Sequence, residues 1–358
     1  MFSYRFPAVK GRQAHMDYYI AMVPIGLLGR LFPPDEEIVS PEHRAQRRLN
    51  TARIPVIRDY VLNNRDSYVF SALSASIDGH FQFHASADTP SLGVLEVDLD
   101  STFLINDGQH RKAALLEAVK EDNSLRDETI SVVFFSDQGL SRSQQMFTDL
   151  NKHAVKTSNS IAELYDSRDL LAVVTREVVA QVPLFEKYTD KEKDNLGKFS
   201  SKLFTLNAIY SANKRILRHI PEPEYDLHIA FLISYWTAVF DNIPEWSQLE
   251  EHSLSKKDLR ENYILSQSIL FQAFGRLGNF FLSDSMPLWN LEGLQKIDWQ
   301  RSNKEWLLRA IRKNGRIVVN EEAVILTCNL IKKKLGIRLS GDELKKEREL
   351  EQEPDTNG

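Results

Sequence analysis

Apolar positions in the first third of the chain come in short runs rich in β-branched and aromatic residues, whereas from Ser158 onward they recur at helical spacing almost without interruption. The runs at 68–77, 92–99 and 130–135 read as strands, and 103–106 adds another that leads into a glycine turn. Asp78-Gly79, between Ile77 and Phe81, is hairpin chemistry and predicts that the first run folds back onto Phe81-Gln82-Phe83. After the strand at 103–106 the period changes to that of a helix over 108–120, with Ala113, Leu115, Leu116 and Val119 largely on one side. A second helical pattern covers 141–151 and buries Met146, Phe147 and Leu150. Further helices are predicted over 161–182, 201–219, 227–241, 263–283, 304–313 and 321–335, set off by Pro183, Pro221, Pro223, Pro244 and Pro287. Phe231, Tyr235, Trp236, Phe240, Phe271, Phe274, Phe280 and Phe281 fall at core spacing within them. The pattern therefore predicts an α/β (or α+β) fold: a mixed sheet with helices over 1–157, a mainly helical domain over 158–340, and a disordered acidic tail over 341–358.

Composition narrows the class. A chain of 358 residues, 42% of them hydrophobic, can bury a full core without covalent staples and is long enough for two domains. Its one cysteine, Cys328, excludes an internal disulfide and a cysteine-rich zinc site, and its neighbours Val324, Ile325, Leu326, Leu330 and Ile331 predict a buried structural thiol. His219, His228 and His252 have no paired ligand at metal spacing, so no metal site is expected. The apolar stretch 18–32 is interrupted by Pro24, Gly26, Gly29 and Arg30, no basic flank precedes an apolar leader, and a cytoplasmic location without membrane contact is expected.

Net charge is −5, which argues against a general DNA-coating protein, but the charge is unevenly spread. Between 300 and 338, ten cations (Arg301, Lys304, Arg309, Arg312, Lys313, Arg316, Lys332, Lys333, Lys334 and Arg338) face three anions, whereas 341–358 carries seven acids and three bases. A second basic cluster comprises Arg44, Arg47, Arg48, Arg53 and Arg58. Basic patches on an acidic chain fit a site-specific binder of double-stranded DNA, although each patch could equally be a solvated helix face.

The densest candidate chemistry lies at 103–115, where an apolar strand breaks at Gly108 and passes directly into an alanine-rich helix. Glycine at such a junction lets the backbone approach a ligand, and the unpaired amides of the first helical turn favour an anion. Gln109, His110 and Arg111 follow at once, and arginine can hold a phosphate or carboxylate through two parallel bonds. Asp107 either caps the helix or stands as a carboxylate beside those cations. Asp-Gly is also ordinary turn chemistry, so spacing alone leaves ligand binding and a plain turn both open.

Asp107-Gly108-Gln109-His110-Arg111 resembles the signature of the DGQHR-domain proteins, and 108–114 is similar to the Gly-x-x-Arg-x-x-Ala box of the ParB and sulfiredoxin superfamily. Gly11-Arg12-Gln13, the stretch 18–24, Arg48-Leu49-Asn50-Thr51-Ala52-Arg53 and Val69-Phe70-Ser71-Ala72-Leu73 all resemble the DndB family, the DGQHR-domain members encoded with the DNA phosphorothioation (sulfur modification) system. Gly315-Arg316-Ile317 and Leu335-Gly336-Ile337 continue the likeness more weakly. The resemblance implies a ParB-like mixed sheet, with Asn151 and Lys156 lining the same nucleotide pocket as the glycine turn; CTP, ATP or no nucleotide all remain open. From the residues alone, Asn151 is equally suited to cap a helix C-terminus. Gln109 stands where sulfiredoxin carries its catalytic cysteine, which implies that sulfinic-acid reduction is lost.

The function implied by the resemblance is DNA-binding regulation, chiefly repression, of the modification genes, acting on promoter DNA as a homo-oligomer and with other phosphorothioation proteins as further partners. Two alternatives stand beside it. One is a nucleotide hydrolase or nuclease using Asp107 or His110 as acid or base, a reading weakened by the lack of a paired acidic cluster to hold metal. The other is a non-catalytic scaffold of the modification complex.

Overall fold

The structure is a computed structural model, and it describes residues 2–33, 49–136, 145–146, 149, 157–197 and 199–352. The chain divides into two compact units, Met1–Val155 and Lys156–Gly358.

The first unit is built on a seven-stranded mixed sheet. Its strands are β1 (Ser3–Gln13), β2 (Met16–Pro24), β3 (Leu73–Asp78), β4 (Phe81–Ala85), β5 (Leu92–Asp98), β6 (Thr102–Asp107) and β7 (Thr129–Ser136), in the order β4-β5-β1-β2-β7-β3-β6. Only the β3–β7 pair is parallel. The β1–β2 hairpin is missing from the predicted elements because its turn carries no Asn-Gly or Asp-Gly signal: Ala14 and His15 themselves take left-handed φ values of 48° and 64°.

Asp78-Gly79 does not make the predicted hairpin, since β3 bonds to β6 and β7 while β4 bonds only to β5. Yet only Gly79 and His80 separate β3 from β4, so β4, at one end of the strand order, lies within about 11 Å of β3, the neighbour of β6 at the other end. The sheet therefore curls back on itself. Phe134 of β7 accordingly meets Phe6 of β1 at 6.1 Å and Phe103 of β6 at 5.7 Å between ring centroids. Short helix α1 (Leu28–Leu31), α2 (Arg53–Asn63) and α3 (Gln109–Glu121) complete this unit. α3 buries Ala114, Leu115 and Ala118, with the predicted Ala113, Leu116 and Val119 only partly covered. Of the helix expected at 141–151, only Gln145, Met146 and Asp149 lie within the described residues, and all three are helical.

The second unit is mainly helical: α4 (Asn159–Tyr165), α5 (Leu170–Gln181), α6 (Pro183–Tyr188), α7 (Leu206–Ile216), α8 (Ile229–Asp241), α9 (Pro244–Glu250), α10 (Lys256–Asn262), α11 (Ser268–Ser283), α12 (Glu321–Lys334) and α13 (Gly341–Gln352). The single helix predicted over 161–182 is two. Asp166 accepts bonds from the amides of Arg168 and Asp169, ending α4, and Asp169 caps α5 by accepting from Ala172. Six of the eight predicted aromatics are buried in the core and Phe231 and Phe280 pack against it partly exposed, with Trp236, Phe240 and Phe271 around Phe185 at 5.2, 4.9 and 6.2 Å. Cys328 is fully buried among them, and burial pushes its thiol up to about 12.

Two further expectations are corrected. No helix spans 304–313: a 3-10 turn (Lys304–Trp306) is followed by Leu308 at φ 62°, because Trp306, buried against Trp299 and bonded to the Asp298 carbonyl, anchors the chain there. Nor are residues 341–352 a disordered tail; they form α13, whose Glu343 and Glu347 are seated on cations of the same unit. With only Leu344 and Leu350 apolar, this stretch looked disordered, but ion pairs hold it instead.

Candidate functional site

β6 ends at Asp107, and Gly108 turns the chain into α3 with φ 102°. A side chain at 108 would face both the left-handed strain and a Cβ only 2.3 Å from Leu73 Cδ2, so glycine is required here. No side chain caps α3, which leaves the amides of Gln109, His110 and Arg111 without intrahelical acceptors. Asp107 takes the second of its two expected roles: it does not cap, but pairs with Arg111 at 2.6 Å across one helical turn.

Arg111 itself is held. Its Nη1 donates to the Ser71 carbonyl and Oγ at 2.6 Å each and to the Ala72 carbonyl at 3.0 Å, while Nη2 donates to Asp107. The guanidinium that the sequence offers as an anion clamp thus ties the entry to β3 onto α3. His110 Nε2 accepts from the Asn50 amide at 2.9 Å, which puts the ring proton on Nδ1 in this arrangement and fastens the approach to α2. Lys112 donates to the Phe32 carbonyl at 3.0 Å.

Two polar atoms at the turn remain unmatched. Asn106, fully buried, donates to Ser76 Oγ at 2.8 Å and to Met146 Sδ at 3.2 Å, yet its Oδ1 has no donor; Gln109 Nε2 is buried with no acceptor. An acceptor and a donor therefore stand unsatisfied on either side of Gly108, where an unmade bond costs about 1–3 kcal/mol per group. The open helix amides are donors suited to an anionic group, and the turn supplies no nucleophile. Asn106 escaped sequence reasoning, although a lone amide inside an apolar strand was the available signal. Asn151 and Lys156 lie outside the described residues, as do Arg44, Arg47 and Arg48.

Elsewhere in the first unit, a cavity of about 440 Å³ is lined by Met22, Arg65, Tyr68, Phe70, Leu115 and Glu128. Arg65 bonds Asp122 and Glu128 there, and burial together with the Glu128 carboxylate pushes the Tyr68 hydroxyl up to about 12. Of the N-terminal arginines that are described, Arg53 is exposed at the start of α2, and Arg58 pairs with Asp59 and Glu121.

The basic segment of the second unit separates into two populations. Arg312, Lys313 and Arg316 are exposed on a tight turn closed by the Arg312 amide to the Arg316 carbonyl at 2.9 Å, with Gly315 at φ 75° and Ile311 and Ile317 bridged beneath. They ride on a turn rather than on the predicted helix. Arg309, Lys332, Lys333 and Lys334 lie against acids: Arg309 to Glu347 at 2.6 Å, Lys332 to Glu343 at 2.9 Å, Lys333 to Glu347 and Lys334 to Glu305 at 2.7 Å. Lys332 is 5% exposed, so it cannot reach a ligand while this arrangement holds.

The family model for DNA-sulfur modification-associated proteins matches residues 6–338, nearly the whole of both units. The chain belongs to the DndB family. Among curated proteins none matches it, and among solved structures none does. Membership ties this DndB-family chain to DNA sulfur modification, and no helix among the described residues is long and apolar enough to cross a membrane. The match takes in the glycine turn, the basic turn at 312–316 and α12, and stops before α13.

Proposed function

We propose that this DndB-family chain is a DNA-binding regulator, a repressor of the DNA phosphorothioate modification genes. The observation that carries the reading is the exposed turn bearing Arg312, Lys313 and Arg316 within a family tied to DNA modification. Phosphate contacts from such cations supply affinity, and an arginine reaching a guanine edge supplies sequence preference. Two half-sites would be read by a homo-oligomer working on cytoplasmic DNA, with other proteins of the modification system as further partners.

The turn at Asp107, Gly108, Gln109, His110 and Arg111 is assigned to an effector, a nucleotide such as CTP or ATP. The α3 amides and Gln109 would hold it, with Arg111 shaping the turn from behind through Ser71 and Asp107. The test is fluorescence anisotropy on promoter DNA of the modification genes against a scrambled duplex over a range of salt. A promoter preference with a steep salt slope is expected, and Arg312→Ala with Arg316→Ala should flatten that slope by about 2. Equal, weak binding to both duplexes would overturn the regulator in favour of a scaffold.

A further inference from the structure

α13 is seated in an unusual way for a terminal helix. Its buried residues are Glu343 and Glu347, each 3% exposed, whereas Leu344 is 41% exposed and Leu350 only half-covered. No residue of α13 belongs to the hydrophobic core of its unit or packs against it. Cavities of about 260 and 230 Å³ remain along its seat, and Arg276 Nε beneath it is buried without an acceptor.

What holds the helix is charge. Glu343 takes Lys332 at 2.9 Å and Arg276 at 3.1 Å, while Glu347 takes both guanidinium nitrogens of Arg309 at 2.6 and 2.9 Å together with Lys333. Burial works to raise the Glu347 carboxyl, but the bonds from Arg309 and Lys333 outweigh it and hold it down at about 2. Four cations from α11, α12 and the 309 segment thus converge on two carboxylates one helical turn apart, about 6 Å along the axis. The four cations lie within the 6–338 span of the family match, and the two acids lie beyond it.

We infer that Arg276, Arg309, Lys332 and Lys333 form a polyanion-binding face, and that α13 covers it with Glu343 and Glu347 in the positions of two backbone phosphates of a nucleic acid. The inference rests on the DNA-binding reading above. A bidentate arginine and an ammonium group match a phosphate as well as a carboxylate. Exchange of one for the other leaves no cation unpaired in the interior, which is the condition that otherwise makes breaking a buried pair expensive. A helix held by ion pairs, with little apolar burial, is the kind that a competing polyanion and salt can lift. DNA then engages two sets of cations in turn: the exposed arginines Arg312 and Arg316, and the covered set after α13 leaves.

Hydrogen exchange on the full chain, alone and with a saturating mixed-sequence duplex, reads this directly. Binding is verified in parallel by anisotropy. Amides of α13 should exchange at least about tenfold faster with DNA bound, while those of α12 stay protected. In the full chain carrying Glu343→Gln and Glu347→Gln, affinity for the same duplex should rise about tenfold, with a steeper salt slope from the two sites released. DNA bound with α13 as protected as before, together with unchanged affinity of a folded double variant, overturns the covered face and leaves the regulator reading intact. No DNA binding by either protein overturns both.

Discussion

Arg111 and Arg309 were equally attractive as ligand contacts in the sequence, and both are engaged internally in the structure. Their partners differ in kind. Arg111 bonds the carbonyls of Ser71 and Ala72 and an aspartate four residues before it, all fixed by the sheet and by the first turn of α3. Arg309 bonds one backbone carbonyl, that of Leu326 at 3.0 Å, and through both guanidinium nitrogens the carboxylate of a separate helix that buries little apolar surface. The first arrangement cannot be exchanged without undoing the entry to β3. The second can be exchanged for any anion of similar shape. One arginine is thus a brace and the other a coverable contact, and the difference lies in whether the acid that answers it sits on the same helical turn, as Asp107 does, or on a separate helix with little apolar burial, as Glu347 does.

The sharpest way to break the first half of this contrast is at Gly108. Gly108→Ala combines left-handed strain with a clash against Leu73, and should destabilise the first unit by about 3 kcal/mol, measured by urea unfolding. A loss under about 0.5 kcal/mol would mean that the turn relaxes freely and has no enforced shape. Next comes Arg111→Ala, which strips donors from two carbonyls and leaves Asp107 unpaired. It should cost about 2 kcal/mol, with Arg111→Lys recovering only part because an ammonium cannot reach all four acceptors in one plane. Full stability of Arg111→Ala would instead return that guanidinium to the ligand-binding role.

The second half of the contrast is open to acid. The Glu347 carboxyl is held below its ordinary value of 4.5, at about 2, so its contribution is complete above about pH 4.5 and is lost as pH falls toward 2. In that window α13 should loosen, followed by circular dichroism or exchange, and Glu347→Gln should remove the part of the pH dependence that Glu347 carries, the rest belonging to Glu343, whose carboxyl Lys332 and Arg276 also hold down. An undiminished acid transition in Glu347→Gln would assign it to other carboxylates. The smallest effect concerns Cys328, whose thiol is buried and pushed up to about 12. It should resist thiol reagents at neutral pH in the native chain and react on denaturation, whether α13 is seated or displaced. Native reactivity would show that the core around α12 opens along with α13.

Much of this was legible beforehand. The runs at 92–99, 103–106 and 130–135 became strands, and Tyr235, Trp236, Phe240, Phe271, Phe274 and Phe281 became core, because periodicity reports directly which side of an element avoids water. The β1–β2 hairpin was not legible, since its turn uses residues with no turn preference. The false hairpin at Asp78-Gly79 shows the converse: turn chemistry fixes a local change of direction, while the strand that receives the chain is chosen by pairing elsewhere in the sheet.

The sequence by itself determined the glycine turn between strand and helix, the helical character of the second unit, the buried cysteine and the excess of positive charge over 300–338. These are local quantities, set by residue type and by spacing along the chain. Only the tertiary structure decided which cations are exposed and which are covered by acids. Charge counted along the chain carries no information about a partner far away in sequence, and Glu343 and Glu347, read as part of an acidic tail, turned out to be the acids that neutralise Arg276, Arg309, Lys332 and Lys333. The same holds at Gly108, where Arg111 found Ser71 and Ala72, forty and thirty-nine residues earlier, at a distance that only the folded sheet closes.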